Sequence, residues 1–275
     1  MTESPEEHCA AELRRLDPDR WLTGLFAPDD RRPGLFALYA FNSEIARARE
    51  SVSQPMIGQI RLQWWREAWE GIAAGTPRQH PVVLALHNHC RGLDQGQVLA
   101  LIEARERDME EQPLPDMAAL LAYAEGTSVP LMRLAASLLG ADTDDAQLRA
   151  AGTAYSLIGI LRATPHLAAH GRVLLPAAVL GAHGLTADAV VQTDVRATLP
   201  AVIREIAEAA ARLLQQASAI KPSRAALPAL LPATLARQHL KALRASGYDP
   251  ALAEQRVTPF ARQMALLWAS LRGRL

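Results

Sequence analysis

The chain has 275 residues, with 29 basic side chains against 29 acidic ones and two cysteines. It is long enough to bury a large core, lacks the net charge that would draw nucleic acid, and lacks a disulfide framework, which points to a reducing compartment. An apolar fraction of 49% leaves surface for a lipid or a partner, yet no apolar run reaches bilayer-spanning length, and the nearest, AALPALLPATLA, is interrupted by Pro228 and Pro232.

From the N-terminus, MTESPEEHCA is acidic and polar, unlike a secretory signal or a transit peptide, and residues 1–15 are expected to form a flexible lead-in. Asp29, ahead of DRRPGLFALYAF, marks a helix start. In RLQWWREAWEGI, Leu62, Trp65, Trp69 and Ile72 fall on one helical stripe and predict a core face, with Arg61, Arg66 and Glu70 off it. VVLAL at 82–86 suits a buried helix as well as a strand. Pro115 and Asp116 precede a helix over MAALLAYAE, and PLMRLAASLLG carries Leu131, Leu134 and Leu138 at helical spacing before a closing Gly140. Thr186 begins ADAVVQ, and Ile203, Ile206, Ala210 and Leu213 repeat the helical stripe. PRQHP, EEQPLPD, GADTDD and IKPSRAALP read as short loops, with no repeat and no recurring hairpin chemistry. The expectation is an all-α protein of one domain spanning residues 1–275.

Chemistry is sparse. In FALYAFNSEIARARE, Tyr39, Ser43, Arg47 and Glu50 trace a polar stripe through an apolar helix, with Glu44, Arg47 and Glu50 spaced for an ion ladder; a solvated face and a cavity lining both fit this pattern. His87, His89 and Cys90 lack a second ligand pair. His166 and His170 have clasp spacing, but they lie between Pro165 and Gly171, where continuous helix is not expected. There is no Gly-rich phosphate loop, nucleophile elbow or Cys-x-x-Cys motif.

FALYAFNSEIARARE, RLQWWREAWEGI with HPVVLAL, LIEARERDM, YAEGTSVPLM, LIGILRATPHLAAHGRVLLP and LPATLARQHLKALRASGYDP, in that order and spacing, resemble the squalene/phytoene synthase family. The resemblance implies an all-α isoprenoid-synthase fold around a central cavity. It also implies two Asp-x-x-x-Asp pairs, whose hard oxygens hold magnesium against the substrate diphosphates. The matching positions here are Ala46 and Glu50 in the first pair, and Ala163 and Leu167 in the second, where Gly159-Ile160-Leu161-Arg162-Ala163 stands for Asn-Ile-Leu-Arg-Asp. Three of the four acids are replaced, and the remaining arginines supply less leaving-group stabilisation than a metal cluster does.

AFNSEIA, SVSQPMIGQIRLQWW and LRATPH resemble the branch of that family that includes a mitochondrial complex I assembly factor, which also lacks the paired aspartates. This closer resemblance implies a binding or assembly factor without catalytic residues, resident metal or cofactor. Its expected location is cytoplasmic and peripheral on the inner membrane face, and its expected partners are a respiratory-complex subunit and an isoprenoid or lipid ligand. Tyr39, Ser43, Arg47, Glu50, Tyr123, Tyr155, Arg162 and Arg172 are the expected lining, with an ion pair as the alternative role for Arg162 and Arg172. Rival expectations are a prenyl diphosphate transferase with magnesium on Glu44, Glu50, Glu103 and Asp108, and an isoprenoid carrier. Once freed of metal, the acid positions are expected to have closed into apolar packing.

Overall fold

The computed structural model describes residues 3–49, 54–192 and 198–275. Every regular element among them is helical, as the period of the apolar residues requires. In chain order these are α1 (Pro5–Leu16), α2 (Pro18–Gly24), α3 (Arg32–Ala46), α4 (Pro55–Ala74), α5 (Pro81–His89), α6 (Gln95–Ala104), a short 3-10 turn (Glu106–Met109), α7 (Met117–Gly126), α8 (Val129–Leu138), α9 (Asp145–Ala169), α10 (Ala177–Ala182), α11 (Ala187–Gln192), α12 (Leu199–Ala219), α13 (Leu227–Ala245), α14 (Pro250–Arg256) and α15 (Pro259–Arg272). The segment VVLAL is therefore helix, inside α5. The chain forms two compact units. One is built from Met1–Glu111, Pro130–Thr143 and Pro222–Ala229, the other from Gln112–Val129, Asp144–Lys221 and Leu230–Leu275.

In the first unit α3 packs against α1 and α5. Leu35, Leu38, Phe41 and Ile45 of α3 are fully buried, and Phe41 meets Trp65 of α4 edge to face at 5.1 Å. The tryptophan stripe is core, as its spacing predicts. Gly34 lies at a close approach, where a Cβ would stand 3.0 Å from the His89 Cβ. Cys90 donates its thiol to the Gly34 carbonyl at 3.4 Å.

The lead-in expectation is overturned. Residues 5–16 are helix, started by a capping box in which Ser4 Oγ accepts from the Glu7 amide and the Glu7 carboxylate accepts from the Ser4 amide. Cys9 and Leu13 face inward and are fully buried. A polar composition concealed two apolar residues four apart, enough to dock one face of a short helix. The start of α3 is also corrected: Asp29 pairs with Arg32 at 2.8 Å and Arg31 takes the cap position.

In the second unit α9 pairs broadly with α12 and also packs on α7, α11 and α14. Asp144 caps α9 by accepting from the Gln147 amide at 2.8 Å. The Gln147 side chain, itself buried, donates to the carbonyls of Ala217 at 2.8 Å and Ile220 at 2.6 Å, closing the end of α12. Contrary to expectation, α9 runs on through Pro165. Pro165 leaves one carbonyl of the preceding turn without its amide donor, while the neighbouring Ile160 carbonyl also receives the Thr164 hydroxyl at 3.0 Å. Helix α13 likewise passes through Pro232, with Pro228 tolerated in its first turn. The caps foreseen at Asp116 and Thr186 are present, and Gly140 closes α8 with a positive φ of 63°.

Burial pushes the thiols of Cys9 and Cys90 up to about 12 each. Neither thiol is expected to react with iodoacetamide at pH 8 while α1 stays docked, because both the thiolate and the access are missing. Leu13→Ala should cost about 2–5 kcal/mol in urea unfolding and should speed Cys9 labelling, read by mass spectrometry. Fast Cys9 labelling in the parent would place α1 off the core.

Candidate functional site

The first degenerate motif closes α3. Tyr39 is buried, its phenol pushed above the usual range by burial, with the Arg20 guanidinium over the ring at 5.8 Å and Asp17 holding Arg20 at 2.6 Å. Ser43, one turn later, donates its hydroxyl to the Tyr39 carbonyl at 3.0 Å, so these two share one buried face. Ala46 is half-buried and Arg47, the cap residue, is exposed. The stripe thus passes from core to solvent. Glu50 lies outside the described residues. Asn42, beside Ser43, is buried with its Oδ1 unpartnered among the described residues. Sequence reasoning passed over it, although a polar pair inside an apolar run is a visible signal.

The second motif lies on α9, where its positions differ in environment. A Cβ on Gly159 would meet nothing within 4 Å, Ala163 is half-buried, and Leu167 is buried. The apolar closure expected at the acid positions is met by buried Leu167 and not by half-buried Ala46 and Ala163. Arg162 forks onto Glu254 of α14, with Nε to Oε2 at 3.1 Å and Nη2 to Oε1 at 3.2 Å, and the same carboxylate stands 3.8 Å from Nδ1 of buried His239. The ion-pair role holds for Arg162. Its partner lies 92 residues away, beyond any local spacing rule. Gly171, at φ 73°, ends the helix, and the Arg172 amide donates to the Leu167 carbonyl at 2.9 Å, which produces the turn into GRVLLP. Arg172 is half-buried. Tyr123 on α7 is buried and Tyr155 on α9 is half-buried; these two helices pack together, with Thr127 and Ser156 hydroxyls 3.3 Å apart.

Each unit contains a hollow of its own. In the first, about 270 Å³ is bounded by Glu44, Arg61, Trp64, Trp65 and His80. The three rings pack edge to face at 5.0–5.7 Å, and burial holds His80 below its ordinary value of 6.5. In the second, about 450 Å³ is bounded by Thr164, Pro165 and Ala168 of α9 together with Val190, Leu199, Pro200 and residues 249–252. Among the described residues its one charged lining residue, Asp249, caps α14 by accepting from the Ala251 and Leu252 amides. That hollow suits hydrocarbon rather than a diphosphate.

Magnesium takes oxygen ligands, and Ala46, Ala163 and Leu167 offer no side-chain oxygen. The described residues do not fit a magnesium cluster at these motifs. No group of three or more His, Cys, Asp or Glu among the described residues is placed to hold a metal ion. Of the rival acids, Glu44 and Glu103 are exposed, while Asp108 is buried 3.6 Å from Arg105. The rings of His166 in α9 and His170 at its C-terminal cap lie 4.4 Å apart, tilted by 44°, and His89 pairs with Glu6 at 3.1 Å.

Residues 13–263 match the model of the family described as squalene/phytoene synthase. The chain belongs to the squalene/phytoene synthase family. Among curated relatives, it is 28% identical over 250 residues to "NADH dehydrogenase (ubiquinone) complex I, assembly factor 6" of Bos taurus, covering 89% of this chain and 75% of that one. Among solved structures, a ligand-bound dehydrosqualene synthase superposes with a TM-score of 0.81 at 15% identity, covering 98% of this chain and 96% of that one. The squalene synthase HpnC of Alicyclobacillus acidocaldarius gives 0.75 at 23% identity, covering 90% of this chain and 95% of that one. The fold is the all-α fold of these synthases.

Restoring the family acids singly separates the positions. Ala46→Asp and Ala163→Asp should melt near the parent, because water reaches both places. Leu167→Asp should lose about 3 kcal/mol or more at pH 7. Its carboxyl has a raised folded-state pKa, so the loss should be smallest below about pH 4 and grow as pH rises through the unfolded value toward the folded one. A Leu167→Asp protein with a flat pH dependence of stability would show that water enters there. His80, held low, should contribute stability that is present above pH 6.5 and falls away as pH drops toward its folded value. His80→Asn should flatten that part of the pH–stability curve.

Proposed function

We propose that this chain is a non-catalytic member of the squalene/phytoene synthase family that assists assembly of a membrane-bound NADH:quinone oxidoreductase, working from the cytoplasmic side of the membrane. The observation that carries the proposal is the similarity to complex I assembly factor 6, which extends over 89% of the chain rather than one motif. The residue chemistry supports it. Ionising an allylic diphosphate requires several positive charges at the leaving group. At three of the four family acid positions this chain has Ala46, Ala163 and Leu167. Arg162, the cation within the second motif, already forks onto Glu254.

A second role, carriage of an isoprenoid or lipid without turnover, is favoured by the apolar hollow of the second unit and by the open space beside Gly159. In that unit Tyr123, Tyr155 and Arg172 are the candidate polar contacts.

Two measurements test the assignment. Cells lacking the protein should show depleted NADH:quinone oxidoreductase on native gels and lowered NADH oxidation in membranes, restored by the parent gene; normal complex in those cells would end the assembly role. The purified chain with farnesyl and geranylgeranyl diphosphates and magnesium should yield no condensed product. Steady release of pyrophosphate with a prenyl product would end the non-catalytic assignment.

A further inference from the structure

Among the described residues no helix is long and apolar enough to cross a membrane. Helix α15 nevertheless exposes five large apolar side chains: Phe260 at 70%, Met264 at 45%, Leu267 at 45%, Trp268 at 56% and Leu271 at 73%. Their spacing, at roughly 100° per residue, sets them on one stripe along the helix. Leu266 and Ala269, the buried residues of α15, fall on the opposite side. The stripe therefore points away from the protein along the whole helix.

The helix is built to hold that stripe outward. Thr258 caps its start by accepting from the Ala261 amide at 3.2 Å, and Gly273 closes its end at φ 59°. Two side chains of α13 hold the backbone at either end: Gln238 donates to the Ala261 carbonyl and Arg237 to the Leu275 carbonyl, each at 2.7 Å. Such a face pays no folding entropy when it meets a surface.

Charge selects the surface. Residues 255–275 contain Arg256, Arg262, Arg272 and Arg274 and no Asp or Glu. The Arg272 guanidinium lies 4.2 Å over the Trp268 ring, and the Lys221 side chain stands 4.0 Å from where a Cβ on Gly273 would be. A helix with Phe, Leu and Trp on one face, and with cationic but no acidic side chains in its own segment, has the chemistry of an interfacial helix on anionic lipid. A protein hot spot seats its anchors in pockets, whereas this face is a row of projecting side chains.

We propose that α15 docks the chain onto an anionic membrane surface, with Phe260, Met264, Leu267, Trp268 and Leu271 in the acyl boundary and the C-terminal arginines at the headgroups. This deepens the assembly role by naming the face turned to the membrane, and it is tested apart from that role. The full chain is titrated with vesicles of phosphatidylcholine alone and of phosphatidylcholine with phosphatidylglycerol in equal parts, neither holding any respiratory complex. Binding is read by co-sedimentation, with melting of each variant as a control. The mixed vesicles should bind more tightly, and salt should weaken that binding. Phe260→Ser with Leu271→Ser should lose roughly tenfold or more of the affinity without a shift in melting, since both side chains are exposed. Arg272→Gln with Arg274→Gln should lose roughly fivefold or more on mixed vesicles and little on neutral ones. No binding to mixed vesicles overturns the proposal, as does a serine variant that binds like the parent. A serine variant that dissolves a dimer yet leaves vesicle binding intact makes the face a protein interface, and also overturns it. Native gels on cells lacking the protein answer separately for the assembly role.

Discussion

The side-chain amide of Gln147 ties the first turn of α9 to the last turn of α12. A helix end buried without partners for its carbonyls is costly, and here one glutamine supplies two donors to two such carbonyls. Because α9 and α12 share the broadest pairing in their unit, this junction sets where along α9 each later residue falls. Arg162, Ala163 and Leu167 take their places along a run of helix that survives Pro165. The capping Asp144 and the positive-φ Gly171 fix its two ends.

Ordinary packing accounts for the replaced acid positions. A carboxylate on a largely buried helix needs a compensating ion, or its desolvation outweighs what it contributes. When the acids are gone, that requirement goes with them. The positions then obey ordinary packing rules according to where they lie. Leu167 faces the interior as a core residue and Ala163 keeps some water, while Gly159, at the family's Asn place, stays beside open space. A helix of this fold can therefore persist on packing alone where its motif acids are replaced.

Fold class was legible because helical periodicity is a one-dimensional signal: Trp65, Trp69 and Leu62 are read from spacing alone, and they are buried. The caps at Asp116 and Thr186 were legible for the same reason, being set by residues within one turn. Helix α1 was not, because two buried side chains in a polar dozen give a weak period, and its docking depends on α3 and α5. The continuity of α9 through Pro165 was concealed because a proline rule reads local geometry, whereas packing along the whole helix outweighs the loss of one hydrogen bond. At the candidate site, the missing acids were visible as letters. The fate of Arg162 was not, since Glu254 reaches it from another helix. Nor was the grading from Gly159 to Leu167, which depends on what surrounds each side chain.

The exposed face of α15 belongs to the same physical account. Apolar surface on a monomer carries a solubility penalty unless something covers it, and a stripe of five large side chains exceeds scattered exposure. In α9 the apolar replacement at Leu167 turns inward and gains packing; in α15 the apolar residues turn outward and gain nothing from the protein itself. Both helices have capped ends and a buried face, so neither stripe is the by-product of a misplaced helix. The difference lies in what each faces. Since residues 255–275 hold four arginines and no Asp or Glu, the free energy of that outward face is lowered by a surface that is negative and apolar at once. A bilayer of anionic lipid meets both requirements within the reach of one helix, without any new fold.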